Sequence, residues 1–298
     1  MTDQAAPAAL MAPPDPPPMR RGKFRLATPY WALPVVAYLI LFLVVPLVSN
    51  AVRSVTLGAA AADTWVYYEK LFFDPYYSRI FLETFKVAII VTVVTLIMGY
   101  PVAYFMVRYA GRWNTLIVFC MIAPLLTSII MRTFGWRVLF ARRGLMNVWL
   151  TDLGIISRPL AILSEPISVY MGLVHVMVPF MVLSITAVLQ GVDLRLEESA
   201  RVLGASRWRA FCNVTLPLTL DGIATGCILV FVITNGSFLT MLLLGDGKVQ
   251  TLSLLIYQQF NLTQDVGFAA TMGNVLLVTA MICLFLQMRF VRRKGIKS

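Results

Sequence analysis

Residues 191–221 read GVDLRLEESARVLGASRWRAFCNVTLPLTLD, a charge-rich stretch set between two long uncharged runs, Pro166–Val192 and Gly222–Gly245. Leu196, Ala200 and Leu203 recur at helical spacing with charged residues on the opposite face, which predicts a short amphipathic helix. Gly204 interrupts the pattern. A second short helix is expected from Ser206, a residue suited to cap an N-terminus, through Trp208, Phe211 and Val214. Pro217 stops it, because the residue before a proline is pushed out of the α region. The segment reads as helix, glycine turn, helix, laid along a membrane surface. Two uses fit that pattern. One is an ordinary interfacial amphipathic helix. The other is a rigid helix pair that fits a groove in a partner and converts partner movement into rotation of the flanking membrane helices. Gly204 would then permit chain reversal or close backbone contact where a Cβ would clash.

The two flanking runs belong to a larger set. Of the 298 residues, 59% are hydrophobic and 13% charged, whereas soluble domains run near 45–50% apolar and about 25% charged. The excess lies in six uncharged runs, Trp31–Val52, Val87–Val107, Trp113–Met131, Pro166–Val192, Gly222–Gly245 and Val266–Met288. About 20 apolar residues suffice to cross a bilayer, and a backbone exposed to lipid must satisfy its own hydrogen bonds, so the runs are expected to be helices. The fold class expected is an all-α integral membrane protein of about six transmembrane helices. Its membrane domain covers 30–291, with helices near 31–52, 87–107, 113–131, 166–192, 222–245 and 266–288. Residues 1–29 are rich in Pro and Ala with no apolar core before Tyr30, so they read as a disordered cytoplasmic tail and not a cleavable signal. Residues 292–298 read as a basic cytoplasmic tail.

Orientation follows from the basic residues beside the runs. With the N-terminus inside, most of the 25 lysines and arginines fall in cytoplasmic segments: Arg20, Arg21, Lys23, Arg25, Arg108, Arg112, Arg195, Arg201, Arg207, Arg209, Arg289, Arg292, Arg293, Lys294 and Lys297. Both termini are therefore placed in the cytoplasm. The net charge of +11 reads as this topology signal; no helix-sized basic face or recognition motif suggests a nucleic acid. Two outer segments stand out. Residues 53–86 are rich in aromatic residues (Trp65, Tyr67, Tyr68, Phe72, Phe73, Tyr76 and Tyr77), as an interfacial belt or a docking surface would be. Residues 132–165 carry Arg132, Arg137, Arg142, Arg143 and Arg158 and read as a re-entrant or interfacial helix.

Absences narrow the function. Lys248 follows Gly247, but a phosphate-cradling loop would need glycine where Leu242 stands. Any ATP chemistry would then have to come from another chain. His175 is the sole histidine, and Cys120, Cys212, Cys227 and Cys283 are widely spaced. No metal-ligand cluster or nucleophile–base pair is apparent, so the chain is not expected to be an enzyme or to hold a cofactor. His175 itself reads as a buried, hydrogen-bonded histidine or as a gate.

The 191–221 segment resembles the EAA motif of ABC-importer permeases, in which Glu-Ala-Ala is followed by three residues, Gly, nine residues and a hydrophobic-x-Leu-Pro ending. The matching positions are Glu198-Ser199-Ala200, Gly204-Ala205 and Val214-Thr215-Leu216-Pro217, with Phe211 between. Ser199 departs from the pattern but keeps a small residue. Tyr100-Pro101-Val102-Ala103-Tyr104, Pro124-Leu125-Leu126-Thr127-Ser128, Arg132-Thr133-Phe134-Gly135-Trp136 and Gly144-Leu145-Met146-Asn147 are similar to segments of spermidine/putrescine-type permeases. The similarity spans most of 87–245. It implies the type I ABC-importer permease fold. It also implies that Glu198, Ser199, Ala200, Gly204, Ala205, Arg207, Trp208, Phe211, Leu216 and Pro217 couple the chain to an ATPase. The partners implied are a dimeric ATP-binding subunit that uses ATP and Mg, a second, different permease, and an extracytoplasmic solute-binding protein. The compartment implied is a bacterial inner membrane. Relatives that handle ferric iron, phosphonates, opines or thiamine share much of the pattern.

A transport path needs polar groups within membrane runs, where they are costly unless they face protein or water. Asn235 and Ser237, Thr127 and Ser128, and Asn274 are the candidates, with His175. Helix packing through small and polar residues is the other use for such groups. No acid lies at the centre of any run, which speaks against a tight internal site for a polycation and leaves specificity to the binding protein. An ion-coupled secondary transporter would be expected to show internal repeats and mid-membrane charges, and neither is present.

Overall fold

Helix is the only regular structure among the described residues, 33–56 and 65–295 of a computed structural model. The expected tail at 1–29 lies outside them. The chain divides into two units, Met1–Leu47 and Val48–Ser298. The described part of the first is a continuous apolar helical stretch, the beginning of α1 (Leu33–Thr56).

In the second unit, α2 (Val66–Phe73) leads to α3 (Pro75–Arg108). This helix starts well before the apolar run at Val87 because its start is specified locally. The Asp74 side chain accepts from the Tyr76 N–H at 2.8 Å, and Pro75 occupies the first helical position, where its missing N–H is not needed. Charged residues between Pro75 and Val87 ended the uncharged run without ending the helix; Lys86 pairs with Glu83 at 3.0 Å one turn away.

The third run departs from a single span. α4 (Asn114–Leu126) contains Pro124, and α5 (Ile129–Phe140) and α6 (Leu145–Asp152) follow a sharp bend. The axis turns by 97° between Gly111–Leu126 and Ile129–Asp152. Thr127 is extended, and its hydroxyl donates to the Pro124 carbonyl at 2.7 Å. A proline and a side chain inserted into the ladder are ordinary causes of such a break. The segment beyond is tied by Asn147, which is 1% exposed. Its amide donates to the carbonyls of Ala141 and Leu160 at 3.0 Å each and its oxygen accepts from the Leu160 N–H at 2.8 Å.

α7 (Pro166–Leu189) is continuous. The fifth run, expected as one helix over 222–245, divides into α11 (Leu220–Gly236) and α12 (Leu239–Leu244). α11 stops at Gly236, a residue that weakens helix propagation, and the Ser237 hydroxyl bonds back to the Ile233 carbonyl at 2.8 Å. After α13 (Leu252–Asn261), α14 (Val266–Gly295) runs past Met288, so helix takes up part of the stretch expected as a tail; residues 296–298 lie outside the described set. By length and composition four helices can cross a membrane, or up to six if each of two bent pairs is one span.

Two apolar clusters hold the second unit. α3, α7 and α11 meet around Val87, Val91, Leu173, Met181, Val182 and Val230. α2, α13 and α14 meet around Leu71, Leu252, Leu255, Phe268 and Met272. Beside the second, the Asn50 amide donates to Asn274 Oδ1 at 2.7 Å, the Asn274 amide donates to Ser54 Oγ at 2.9 Å, and that hydroxyl meets the Tyr68 hydroxyl at 3.0 Å.

Candidate functional site

Between α7 and α11 the chain forms α8 (Leu194–Val202), α9 (Arg207–Ala210), a π turn over Phe211–Thr215 and the short α10 (Leu216–Leu218). Asp193 caps α8 by accepting from the Arg195 N–H at 2.9 Å. Ser206 caps α9 by accepting from the Arg209 N–H at 3.3 Å, the role its position in the sequence suggests. α8 closes on Gly204, whose φ of +93° is left-handed. The Gly204 N–H reaches the Arg201 carbonyl and the Ala205 N–H the Ala200 carbonyl, both at 3.0 Å. This paired bonding is the Schellman arrangement, in which glycine avoids the penalty a Cβ would carry.

The burial pattern inverts the expectation from periodicity. Several apolar positions face outward, Leu196 at 47% exposed, Val202 at 87%, Leu203 at 88% and Trp208 at 71%, while Ala200, Phe211 and Val214 are half-buried. The residue that α8 buries is Glu197, 9% exposed. Its carboxylate accepts from Arg108 Nη2 at 2.9 Å and from the Tyr104 hydroxyl at 3.1 Å. Arg108, the last residue of α3, also donates through Nη1 to the Val192 carbonyl at 3.1 Å. A buried carboxylate is tolerable only when paired and hydrogen-bonded, and this one has both. Behind it the Tyr100 and Tyr104 rings each meet the Phe211 ring edge-on at 5.5 Å, and the Tyr100 hydroxyl lies 2.9 Å from Thr219 Oγ1. A hollow of about 440 Å³ opens beside them, rimmed by Tyr109, Arg207 and Trp208.

The residues singled out by the EAA resemblance thus come together on one helix–turn–helix. Glu198, Ser199, Gly204, Arg207, Trp208 and Pro217 are exposed. Ala200, Ala205, Phe211 and Leu216 are half-buried behind them. Reading the sequence missed Glu197, Arg108 and Tyr104. Glu197 differs from its neighbour Glu198 only in phase, and its partners lie 89 and 93 residues away.

The path candidates do not converge. Asn274 belongs to the Asn50–Ser54–Tyr68 chain. Thr127 and Ser128 are exposed at the α4–α5 bend. Ser237 bonds its own helix. Asn235 is buried in α11, its amide donating to the Phe231 carbonyl at 2.9 Å while Oδ1 has no partner. His175 is exposed, not the buried and hydrogen-bonded histidine that one reading expected. Its ring packs edge-on against Trp136 at 5.4 Å, and it helps line an apolar cavity of about 590 Å³ between α3, α4, α5 and α7. An apolar α7 offers few polar partners, and the chain sets the histidine against an aromatic ring instead.

Apolar helices with a capped helix–glycine–helix element between two of them fit a membrane permease, and residues 24–296 match the family described as the binding-protein-dependent transport system inner membrane component. The chain belongs to that family and is a membrane permease of an ABC importer, a transport component and not an enzyme. It is 34% identical over 215 residues to the spermidine/putrescine transport system permease protein PotB of Haemophilus influenzae, covering 72% of this chain and 75% of that one. The Escherichia coli PotB is 32% identical, covering 74% and 80%. The molybdenum transport system permease protein ModB of Escherichia coli is 30% identical, covering 72% and 92%. Among solved structures, a bacterial alginate ABC transporter in complex with alginate pentasaccharide-bound periplasmic protein matches with a TM-score of 0.73 at 20% identity, over 89% of this chain and 93% of that one. The chain is accordingly a multi-pass inner-membrane protein of the type I permease fold.

Proposed function

We propose that this permease imports a polyamine such as spermidine or putrescine, handed over by an extracytoplasmic binding protein. In this reading a separate, dimeric ATP-binding subunit hydrolyses ATP with Mg on the cytoplasmic side, where both termini also lie. A second, different permease completes the pair. The observation that carries the coupling is the exposed apolar tip of Val202, Leu203 and Trp208 among Arg195, Arg201, Arg207 and Arg209. Apolar surface of this kind on a basic rim is what a partner interface buries. The polyamine assignment rests on the 32–34% identity to permeases named for spermidine and putrescine. With no acid central in a membrane run, the chain offers a polycation a low-affinity passage, and selection falls to the binding protein.

The test is ATP-dependent uptake of labelled spermidine into vesicles that hold this chain, its partner permease and its ATPase, with the binding protein added. Uptake should be competed by putrescine and untouched by molybdate, the solute class suggested by the ModB relative. ATP-dependent uptake of another solute with no spermidine uptake would overturn the polyamine assignment and leave the importer standing.

In this reading Asn235 lines the path. Its Oδ1 is a buried acceptor without a partner, and removing such an atom is close to neutral for stability. Asn235→Leu should therefore accumulate in the membrane at the wild-type level with the ATPase bound, while uptake falls severalfold. Unchanged uptake would remove Asn235 from the path.

A further inference from the structure

We infer that α3, which does not border the Gly191–Asp221 segment in sequence, is the membrane helix driven by the ATPase, and that Arg108 and Glu197 are the positioning pair that drives it. The inference rests on the proposed docking of an ATPase at that segment.

The segment is continuous with α7 before it and α11 after it, so those two helices are its obvious outlets. Each flanking junction, however, is irregular. α7 ends at Leu189 and is followed by turn residues. On the other side a π turn precedes α10, and the axis bends by 64° between Arg207–Leu218 and Leu220–Gly236. Bends and π turns are where a helical rod yields. Movement of α8 and α9 is absorbed there in part.

The lateral link to α3 bypasses both junctions, and meets α3 on either side of its own internal proline, Pro101. Arg108 donates simultaneously to Val192, just before α8, and to Glu197, in its first turn. The ion pair is almost dry, with the Arg108 and Glu197 side chains 9% and 11% exposed. Tyr104, one turn back on the same face of α3, holds Glu197 with its hydroxyl and Phe211 with its ring. Tyr100, one turn further, meets Phe211 and Thr219. Three successive turns of α3 therefore grip both halves of the segment. α3 packs in turn against α7 and α11 through the Val87–Val91–Met181–Val230 cluster, so displacing it displaces the bundle core. Shielding from water strengthens a charge pair, and removing one partner leaves the other charge buried and alone.

The experiment measures solute taken up per ATP hydrolysed in vesicles holding the whole complex, for wild type, Arg108→Lys, Arg108→Ala, Glu197→Ala and the exchange Arg108→Glu/Glu197→Arg. Arg108→Ala should keep the ATPase bound and hydrolysing while uptake per ATP falls about a hundredfold, the scale set by losing one buried charge contact. Arg108→Lys, which keeps the charge but loses the two-pronged geometry, should fall in between. The exchange should recover part of the coupling lost in the alanine variants, which shows that the two charges act as a pair; a purely local structural role would instead lower ATPase binding and hydrolysis together with uptake and leave the ratio unchanged. Wild-type uptake per ATP in Arg108→Ala and Glu197→Ala would overturn the inference. So would loss of ATPase binding in step with uptake, because the pair would then shape the docking surface and not transmit movement. If Arg108→Ala fails to accumulate, Arg108→Lys and the exchange carry the same reading. Failure of the wild-type complex to retain the ATPase would instead strike at the proposed function.

Discussion

Gly204→Asp is expected to leave the chain inserted and folded while solute uptake drops to background. At φ +93° an L-residue is strained, but a Cβ built there meets nothing within 4 Å. The folded chain therefore loses about 1 kcal/mol from the backbone and suffers no collision. The damage lies elsewhere. Gly204 sits at the tip formed by Val202, Leu203 and Trp208, the surface proposed to enter the ATPase. A carboxylate carried into that contact would be desolvated, and it would set a negative charge among Arg201, Arg207 and Arg209 against a partner surface shaped for a basic rim, at a penalty of several kcal/mol. Gly204→Ala separates the two effects: it carries the strain without the charge and should keep most of the uptake. The measurements are ATP-driven uptake in vesicles and co-purification of the ATPase with each variant. Normal uptake by Gly204→Asp would sink the docking role of this turn, whatever becomes of Gly204→Ala.

How much of this could be read from the sequence depended on how local each cause was. The α9 cap and the glycine turn were legible because Ser206 and Gly204 act on their own neighbours in the chain; the Asp193 cap of α8 is just as local and was missed. The membrane helices were legible because a bilayer demands long apolar runs, and the run rule failed where the helix and the run had different causes. α3 begins at Pro75 because Asp74 and Pro75 specify its start, though the apolar run begins near Val87. The bends after Pro124 and at Gly236–Ser237 escaped because an apolar run continues through a broken helix as readily as through a straight one. The burial of Glu197 and exposure of Leu203 escaped for a different reason. Periodicity identifies an apolar face but not which neighbour covers it, and here the partner that fixes the phase is Arg108, the last residue of a helix far away in sequence. Asn274 shows the same limit. A mid-run amide reads as a path residue or as packing, and only the position of Asn50 decides that it is bonded across helices.

The α7–α11 contact offers the second test, through Gly226→Val. A Cβ at Gly226 would lie 2.6 Å from Met181 Sδ and 3.3 Å from Ser184 Cβ, and one at Gly222 would lie 3.0 Å from the Ser184 carbonyl. These two glycines, one turn apart, let the helix backbones approach, the small-residue packing that membrane helices use in place of a hydrophobic drive. A methionine commonly yields to an intruding methyl, but this one has no room. Met181 is fully buried, and a Cβ on Gly99 of α3 would already approach its Cγ to 3.0 Å from the other side. The thioether is thus clamped between glycines of two helices, and the two methyls of valine add volume that neither side can give up. Overpacking of this kind typically costs about 1–3 kcal/mol and occasionally more. Gly226→Val should accumulate poorly and lose its bound ATPase at a lower temperature than wild type in detergent. Met181→Ala alone should weaken the core by leaving a cavity. The double variant Gly226→Val/Met181→Ala should be more stable than either single one, since each change supplies what the other lacks. Thermal stability of Gly226→Val equal to wild type, or a double variant as unstable as the sum of its parts, would mean that α7 and α11 do not meet at Met181.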